Sequence, residues 1–242
     1  RPRSALTYQK SPDLPFDRSI NPYRGCEHGC IYCYARPTHA YLNLSPGLDF
    51  ETRLIARPGI AAVLDAELRR AAYKVAPIAI GTNTDPYQPI ERDHGVMREV
   101  LQVLAAFRHP VWITTRGTLI ERDIDILAPM AAQRLASVSI SLTTLDADLA
   151  RKMEPRAPAP KRRLAVIRAL SAAGIPVRVQ VSPLVPGLTD HELEAVMAAA
   201  AEAGASHATS IPLRLPREVA ALFRDWIETT FPDRAAHVMN RV

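Results

Sequence analysis

The residues with the clearest chemical capacity in this sequence are three cysteines, Cys26, Cys30 and Cys33, and the chain has no fourth. They sit in Asn-Pro-Tyr-Arg-Gly-Cys-Glu-His-Gly-Cys-Ile-Tyr-Cys-Tyr (residues 21–34), a C-x3-C-x2-C spacing. An odd set crowded into eight residues is a poor disulfide framework, and a chain of 242 residues needs none. Clustered thiols of this kind point to metal and to a reducing compartment. A compact loop with these gaps aims three thiolates at three corners of an iron–sulfur cube, for which cysteine is the usual ligand. Gly25 and Gly29 let the backbone turn tightly and approach such a cube closely. Three ligands for four irons leave one iron open to chelation by a small molecule. Structural zinc is a competing reading, and its fourth ligand would have to be His28 or His39. His28 lies between the first two cysteines, an awkward position for a tetrahedral site that also uses both. Thiols without metal are the remaining alternative.

With Tyr32 directly before the third cysteine, the loop resembles the signature of the radical S-adenosylmethionine (SAM) superfamily. The stretches Phe-Asp-Arg-Ser-Ile-Asn-Pro-Tyr-Arg-Gly-Cys (residues 16–26) and Gly-Thr-Asn-Thr-Asp-Pro-Tyr-Gln-Pro-Ile-Glu (residues 81–91) are similar to those of a spore photoproduct lyase-like subgroup of bacterial radical SAM proteins. The resemblance runs from about residue 12 to about residue 235. It implies a [4Fe–4S] cluster held by Cys26, Cys30 and Cys33, with S-adenosylmethionine bound to the open iron through its amino and carboxylate groups. It further implies reductive cleavage of the sulfonium C–S bond, a 5′-deoxyadenosyl radical, and an electron donor of flavodoxin or ferredoxin type. The fold it implies is a partial (β/α)6 TIM-like barrel.

The same resemblance distributes cofactor contacts. Tyr32 should lie along the adenine, mostly through its backbone. The loop at Thr82, Thr84 and Asp85 replaces the Gly-rich motif that receives the cofactor's amino group, although an Asp in a turn is as often a local cap. Arg116 stands where relatives often carry a Lys after the third barrel strand, and arginine can clamp a carboxylate bidentately. Gly117 stands where relatives often carry Ser. Ser141, near the end of the fourth strand, matches a residue that contacts the ribose or carboxylate; its alternative is a small core residue. Arg156 is a further carboxylate clamp or simply a solvated side chain. Tyr87 and Gln88 either touch substrate or cover the barrel mouth. His28, His39 and His94 read as structural or surface residues. No side chain is singled out as catalytic.

Independently of that resemblance, the chain alternates short apolar runs with helical periods. Strands are expected near 51–56, 77–81, 111–115, 137–142, 177–181 and 207–213. Helices are expected from Pro58, over 97–107, 119–132 and 160–173, after a Thr189/Glu192 capping box, and from Pro216. About six β–α units with a parallel sheet follow, and right-handed crossovers curl them into an open barrel. Residues 1–16 read as an arm and 17–242 as one barrel domain. Chemistry in such folds sits at the carboxyl ends of strands. Thr82 to Asp85, Arg116, Thr143, Thr144, Ser182 and Arg214 all fall there.

Hydrophobic residues make up 48% of the chain and the net charge is +5, nearly all of the positive charge being arginine. No apolar run reaches the ~18 residues of a membrane helix, and no signal-peptide pattern is present. No membrane association and a cytoplasmic location are expected. The first residue is Arg1 rather than Met, so the sequence is read as part of a longer chain. Six cations within residues 151–163, against the single acid Glu154, read either as a solvated helix face or as a phosphate track. A DNA or RNA base or lesion is therefore one substrate class. A small molecule or a protein is the other, and a non-catalytic metal-binding module is the third reading. With no spare cysteine, hydrogen return to a product radical would need a tyrosine or residues outside this sequence, and an auxiliary cluster has no ligands here. Oligomeric state is not legible.

Overall fold

Residues that alternate between two environments form the central sheet. The computed structural model, which describes residues 2–12 and 14–242, places strands at β1 (Thr7–Tyr8), β2 (Arg18–Ile20), β3 (Tyr23–Arg24), β4 (Ile55–Ala56), β5 (Ile78–Ile80), β6 (Val111–Thr115), β7 (Ala136–Ser141), β8 (Val177–Leu184) and β9 (His207–Pro212). The helices are α1 (Leu48–Thr52), α2 (Ile60–Leu68), α3 (Glu91–His94), α4 (Val96–Ala106), α5 (Ile124–Ala132), α6 (Ala147–Met153), α7 (Pro160–Ala172), α8 (Leu193–Glu202), α9 (Glu218–Thr230) and α10 (Pro232–Met239). Seven strands form one sheet in the order β1-β2-β5-β6-β7-β8-β9. β2 through β9 in that order are parallel, and β1 is antiparallel to β2. Six parallel strands with intervening helices make the expected partial (β/α)6 TIM-like barrel.

One of the six strands is not where the apolar pattern put it. Residues 51–56 divide between the end of α1 and the two-residue β4, which pairs only with β3 in a separate sheet. The first barrel strand is instead β2, whose Arg-Ser-Ile carries no apolar signal and is nevertheless fully buried. Arg18 is accommodated because its guanidinium donates to Asp17 and to the Lys74 carbonyl. The Thr189/Glu192 capping box does not form either. Thr189 Oγ1 accepts from Val185 N (2.9 Å), while the Glu192 carboxylate takes the Thr144 hydroxyl (2.6 Å) and Leu145 N (2.8 Å). Tertiary donors at the end of β7 outcompete the local cap. The helix expected from Pro58 starts two residues later, at Ile60.

Register separates the two faces of the sheet. Ile113 pairs with Val138, and Ile140 with Val179, so these apolar residues share one face. They pack with Leu64, Leu101, Leu127, Ile167 and Val196 of the helices in the main core. The opposite face, the barrel interior, carries Trp112, Thr114, Ser139, Arg178, Gln180 and Thr209. It is polar and partly open, with Trp112 39% exposed. The N-terminal arm closes the β2 edge as β1, and its Ala5 and Leu6 amides donate to Glu67 (3.2 and 3.1 Å). Arg1 and Asp13 of that arm lie outside the described residues. At the far edge all six residues of β9 are exposed. Among the described residues no helix is long and apolar enough to cross a membrane.

Ile113 sits on the central strand with 1% exposure. We expect Ile113→Ala to lose about 2–5 kcal/mol of stability, read as a lower urea midpoint with an unchanged denaturant slope.

Candidate metal and cofactor site

The cysteine loop is an irregular segment pressed onto the barrel mouth, so its backbone polar groups need partners from elsewhere. Arg36, 1% exposed, supplies most of them. It donates to the carbonyls of Gly29 (3.2 Å), Cys30 (2.9 Å), Pro46 (3.1 Å) and Gly47 (3.1 Å), and pairs with Glu51 at 2.5 Å. Gln88, fully buried, donates to the Gly25 carbonyl (3.0 Å) and accepts from Glu27 N (2.9 Å). Gly25 has φ +77° and Gly29 φ +68°, and a Cβ on Gly25 would lie 2.8 Å from both Leu54 Cδ2 and the Phe50 carbonyl oxygen. Glycine is required here by both conformation and space.

Apolar packing dries the loop on both sides. Cys30 and Tyr32 join Leu149, Met153, Phe223 and Ile227 in one cluster, and Cys26 packs with Ala35 and Phe50 in another. All three thiols are free. Burial pushes Cys30 up to about 12, against the opposing pull of the Arg116 guanidinium, and raises Cys26 and Cys33 as well. Such thiols become thiolates when a metal displaces their protons. Among the described residues no three His, Cys, Asp or Glu side chains converge as one shared ion requires. A cube takes its thiolates at separate corners and does not ask them to meet.

Glu154, the lone acid of the basic run, is the centre of the mouth and is fully buried. It accepts from the Tyr32 hydroxyl and from Arg163, from Thr143 Oγ1 (3.2 Å) and from Arg116 Nη1 (3.1 Å). Burial alone would raise its pKa; Arg163 and then Arg116 outweigh that and hold it at about 2. Arg116 Nη1 also donates to Cys30 Sγ and to Tyr32 Oη (3.0 Å). Its backbone amide is fixed by Asp85 Oδ2 (2.8 Å), whose other oxygen takes the Thr115 hydroxyl (2.5 Å) and Tyr87 N (2.9 Å). Gly117 has no room for a side chain, since a Cβ there would overlap Tyr87.

Cys30, Tyr32, Arg116 and Ser141 are thus linked through one network, because Arg163 also donates to the Ser141 carbonyl (3.1 Å). Asp85 joins it as the cap of Arg116, and His28 Nδ1 lies 3.5 Å from Asp85 Oδ2. Burial pushes His28 down to about 4. Thr82 offers its carbonyl to the Tyr34 hydroxyl, and the buried Thr84 hydroxyl donates to the Tyr23 carbonyl (2.9 Å). Arg156 sits on the outer side of the loop, committed to Glu51 and the Glu27 carbonyl. Tyr87 and Gln88 are committed to partners within the fold: Tyr87 Oη donates to Asp123 (3.1 Å) and Gln88 clamps the loop.

Five of the six cations in the basic run have partners within the fold. Arg151 pairs with Asp148, Arg162 with Glu121 and Arg156 with Glu51; Lys152 lies over Phe231, and Arg163 is buried on Glu154. Arg36 and Glu154 were not legible as site residues. For Glu154 the signal was its solitude among cations.

Three free thiols on one loop at the mouth of a six-strand parallel barrel make a candidate metal-cluster site. The radical SAM superfamily model matches residues 20–200, and the chain belongs to that superfamily. The superfamily uses a [4Fe–4S] cluster and S-adenosylmethionine. The uncharacterized protein Rv2578c of Mycobacterium tuberculosis H37Rv is 42% identical over 222 residues, 91% of this chain and 65% of its own length. This chain therefore spans just under two thirds of that relative. Among solved structures, spore photoproduct lyase complexed with dinucleoside spore photoproduct superposes with a TM-score of 0.67 at 17% identity, over 95% of this chain and 65% of that one. Streptococcus suis SuiB bound to S-adenosylmethionine gives 0.62 at 17% identity, over 90% and 47%. At these identities the likeness is one of fold.

The depressed carboxylate gives a signed expectation. Glu154 adds stability that is full above the ordinary glutamate range near 4.5 and is lost as the pH falls through about 2. Glu154→Gln should cost about 3–5 kcal/mol at neutral pH, because Arg163 and Arg116 lose their buried partner. It should also flatten the acid limb of a stability–pH curve from chemical denaturation; an unchanged limb would remove Glu154 from that role.

Proposed function

We propose that this protein is a radical SAM enzyme that abstracts hydrogen from a nucleic-acid base or lesion. The observation that carries the enzyme reading is the free, desolvated three-thiol loop fixed at the barrel mouth, with the Arg116 guanidinium on Cys30. Cys26, Cys30 and Cys33 would hold the cluster. When bound and reduced, the cluster supplies the electron that splits S-adenosylmethionine into methionine and a 5′-deoxyadenosyl radical. The chain's own residues position and desolvate. Arg36 and Gln88 fix the loop, the clusters around Cys30 and Cys26 exclude water, and Arg116 places a cation at the sulfur edge. Ser141, Thr82, Thr84, Asp85 and Tyr32 are the proposed cofactor shell, and Arg156, bonded to Glu51 on the outer side, would support the loop rather than the cofactor. A flavodoxin- or ferredoxin-type donor in a reducing, cytoplasmic compartment fits three unpaired thiols.

For substrate class, the support is the open interior face. Trp112 is an exposed aromatic plane and Arg178 an exposed guanidinium on the same face, with His207 paired to Arg178 in register; all three lie at the amino ends of their strands, the end away from the cysteine loop, where they would hold a flanking part of a polynucleotide rather than the reacting base. An aromatic plane with nearby cations is the chemistry that stacks bases and neutralises phosphates. A small-molecule or protein substrate is the alternative outcome.

Anaerobic reconstitution should load about four irons per chain, and Cys30→Ala should lose them; full iron retention in that variant contradicts the assignment. Dithionite with S-adenosylmethionine should release 5′-deoxyadenosine. Single-stranded DNA should quench Trp112 fluorescence, with log affinity falling against log salt by about 0.7 per phosphate neutralised. Trp112→Ala and Arg178→Ala should weaken that binding at least tenfold, and salt-independent or absent binding points to the other substrate classes.

A further inference from the structure

We infer that Arg116 sets the reduction potential of the cluster through its hydrogen bond to the Cys30 sulfur, and that Glu154 is the positioning residue that holds it there. The inference rests on the cluster reading above. Arg116 Nη1 lies against Cys30 Sγ, 3.0 Å from Tyr32 Oη and 3.1 Å from Glu154 Oε1, so a single nitrogen is shared between the sulfur and its anchors. Both ends of the side chain are fixed. Asp85 holds the Arg116 amide at 2.8 Å, and Glu154 is itself pinned by Arg163 and Thr143. The guanidinium also lies 5.9 Å from the Tyr32 ring centroid, which leaves it little freedom to swing away.

The three sulfurs are not equivalent in this arrangement. Cys26 has a backbone amide as neighbour at Asp85; Cys33 has those of Ala35 and Arg36 and also feels the charges of Arg116 and Arg36, whereas Cys30 is the sulfur in direct contact with a guanidinium among the described residues. Cys30 is 6% exposed, so water screens that charge weakly. One-electron reduction adds one negative charge to the cluster, with the electron coming from an external reductant. A cation hydrogen-bonded to a ligating sulfur favours the reduced form, because charge and hydrogen bonds to sulfur tune such potentials. All three contacts fall on the one nitrogen Nη1, whose two hydrogens are shared among sulfur, hydroxyl and carboxylate, so what Arg116 gives the cluster is a positive charge held in place.

The test uses the full chain, reconstituted anaerobically and titrated with dithionite and redox mediators in the absence of S-adenosylmethionine, with the reduced cluster followed by electron paramagnetic resonance. Arg116→Gln should lower the reduction equilibrium constant about tenfold or more, which is ~59 mV more negative for a one-electron couple. Arg116→Lys, which keeps the charge on a shorter and more mobile side chain, should fall between Gln and the parent. Glu154→Gln should shift the potential in the parent but much less in the Arg116→Gln background, since it acts through that arginine. The Arg116 pair decides the matter even where the Glu154 variant is too unstable to load. A change smaller than twofold in Arg116→Gln overturns the inference, as does an effect seen only once S-adenosylmethionine is added, which would make Arg116 a cofactor clamp alone. If the parent itself loads no four-iron cluster, the cluster reading fails along with it.

Discussion

Keeping a carboxylate ionised where no water reaches it is the constraint on which the barrel mouth depends. Taking Glu154 out of solvent costs several kcal/mol on its own. Two arginines and two hydroxyls offset that cost, and each comes from a different part of the chain. Arg116 follows β6, Thr143 follows β7, Arg163 belongs to α7, and Tyr32 belongs to the cysteine loop. Glu154 is itself the C-terminal cap of α6. One charge therefore registers the loop against three elements of the barrel, and any movement of the loop would strip a buried anion of a partner. That is how a segment with no regular structure is held to the accuracy that metal ligation demands.

A second set of polar contacts secures the loop from the other side. Arg36 reaches four carbonyls and Glu51, and Arg156 reaches the same carboxylate from solvent. Glu27, inside the loop, accepts from Ile90 N at 2.6 Å, tying the loop to the segment after β5. Between the two sets lie the apolar clusters around Cys26 and Cys30. The loop is thus polar where it must be fixed and dry where its sulfurs point. One-electron chemistry on a reactive intermediate needs that separation, because water and loose side chains are competing reactants.

The regular elements were largely legible and the contacts between them were not. The β-branched run at β6 sits where its pattern placed it, and α7 runs from Pro160 as its capping residues indicate. Strand β2 was missed because Arg-Ser-Ile is buried by partners, Asp17 and Lys74, rather than by hydrophobicity. The Thr189/Glu192 signal was locally valid and lost to donors 45 residues or more away, at Thr144 and Leu145. Within the site, the cysteines and Arg116 could be picked out, since motif and strand-end position mark them. Arg36 and Glu154 could not, because their roles are defined by what lies across the fold. The bond from Tyr32 to Glu154 spans 122 positions.

The arginine content illustrates the same limit and changes the substrate argument. A positive net charge with a dense basic run invites a phosphate-binding reading. Yet Arg18, Arg36 and Arg163 are 6%, 1% and 1% exposed, and each works as an internal multidentate donor to carbonyls and carboxylates. Lysine could not replace them, lacking the fork. These three arginines are therefore architectural, and their share of the net charge says nothing of a polyanionic partner. What remains for nucleic acid is local: a six-strand barrel that leaves its interior face unfilled, with an exposed tryptophan and an exposed arginine on it. A closed eight-strand barrel would fill that face with side chains.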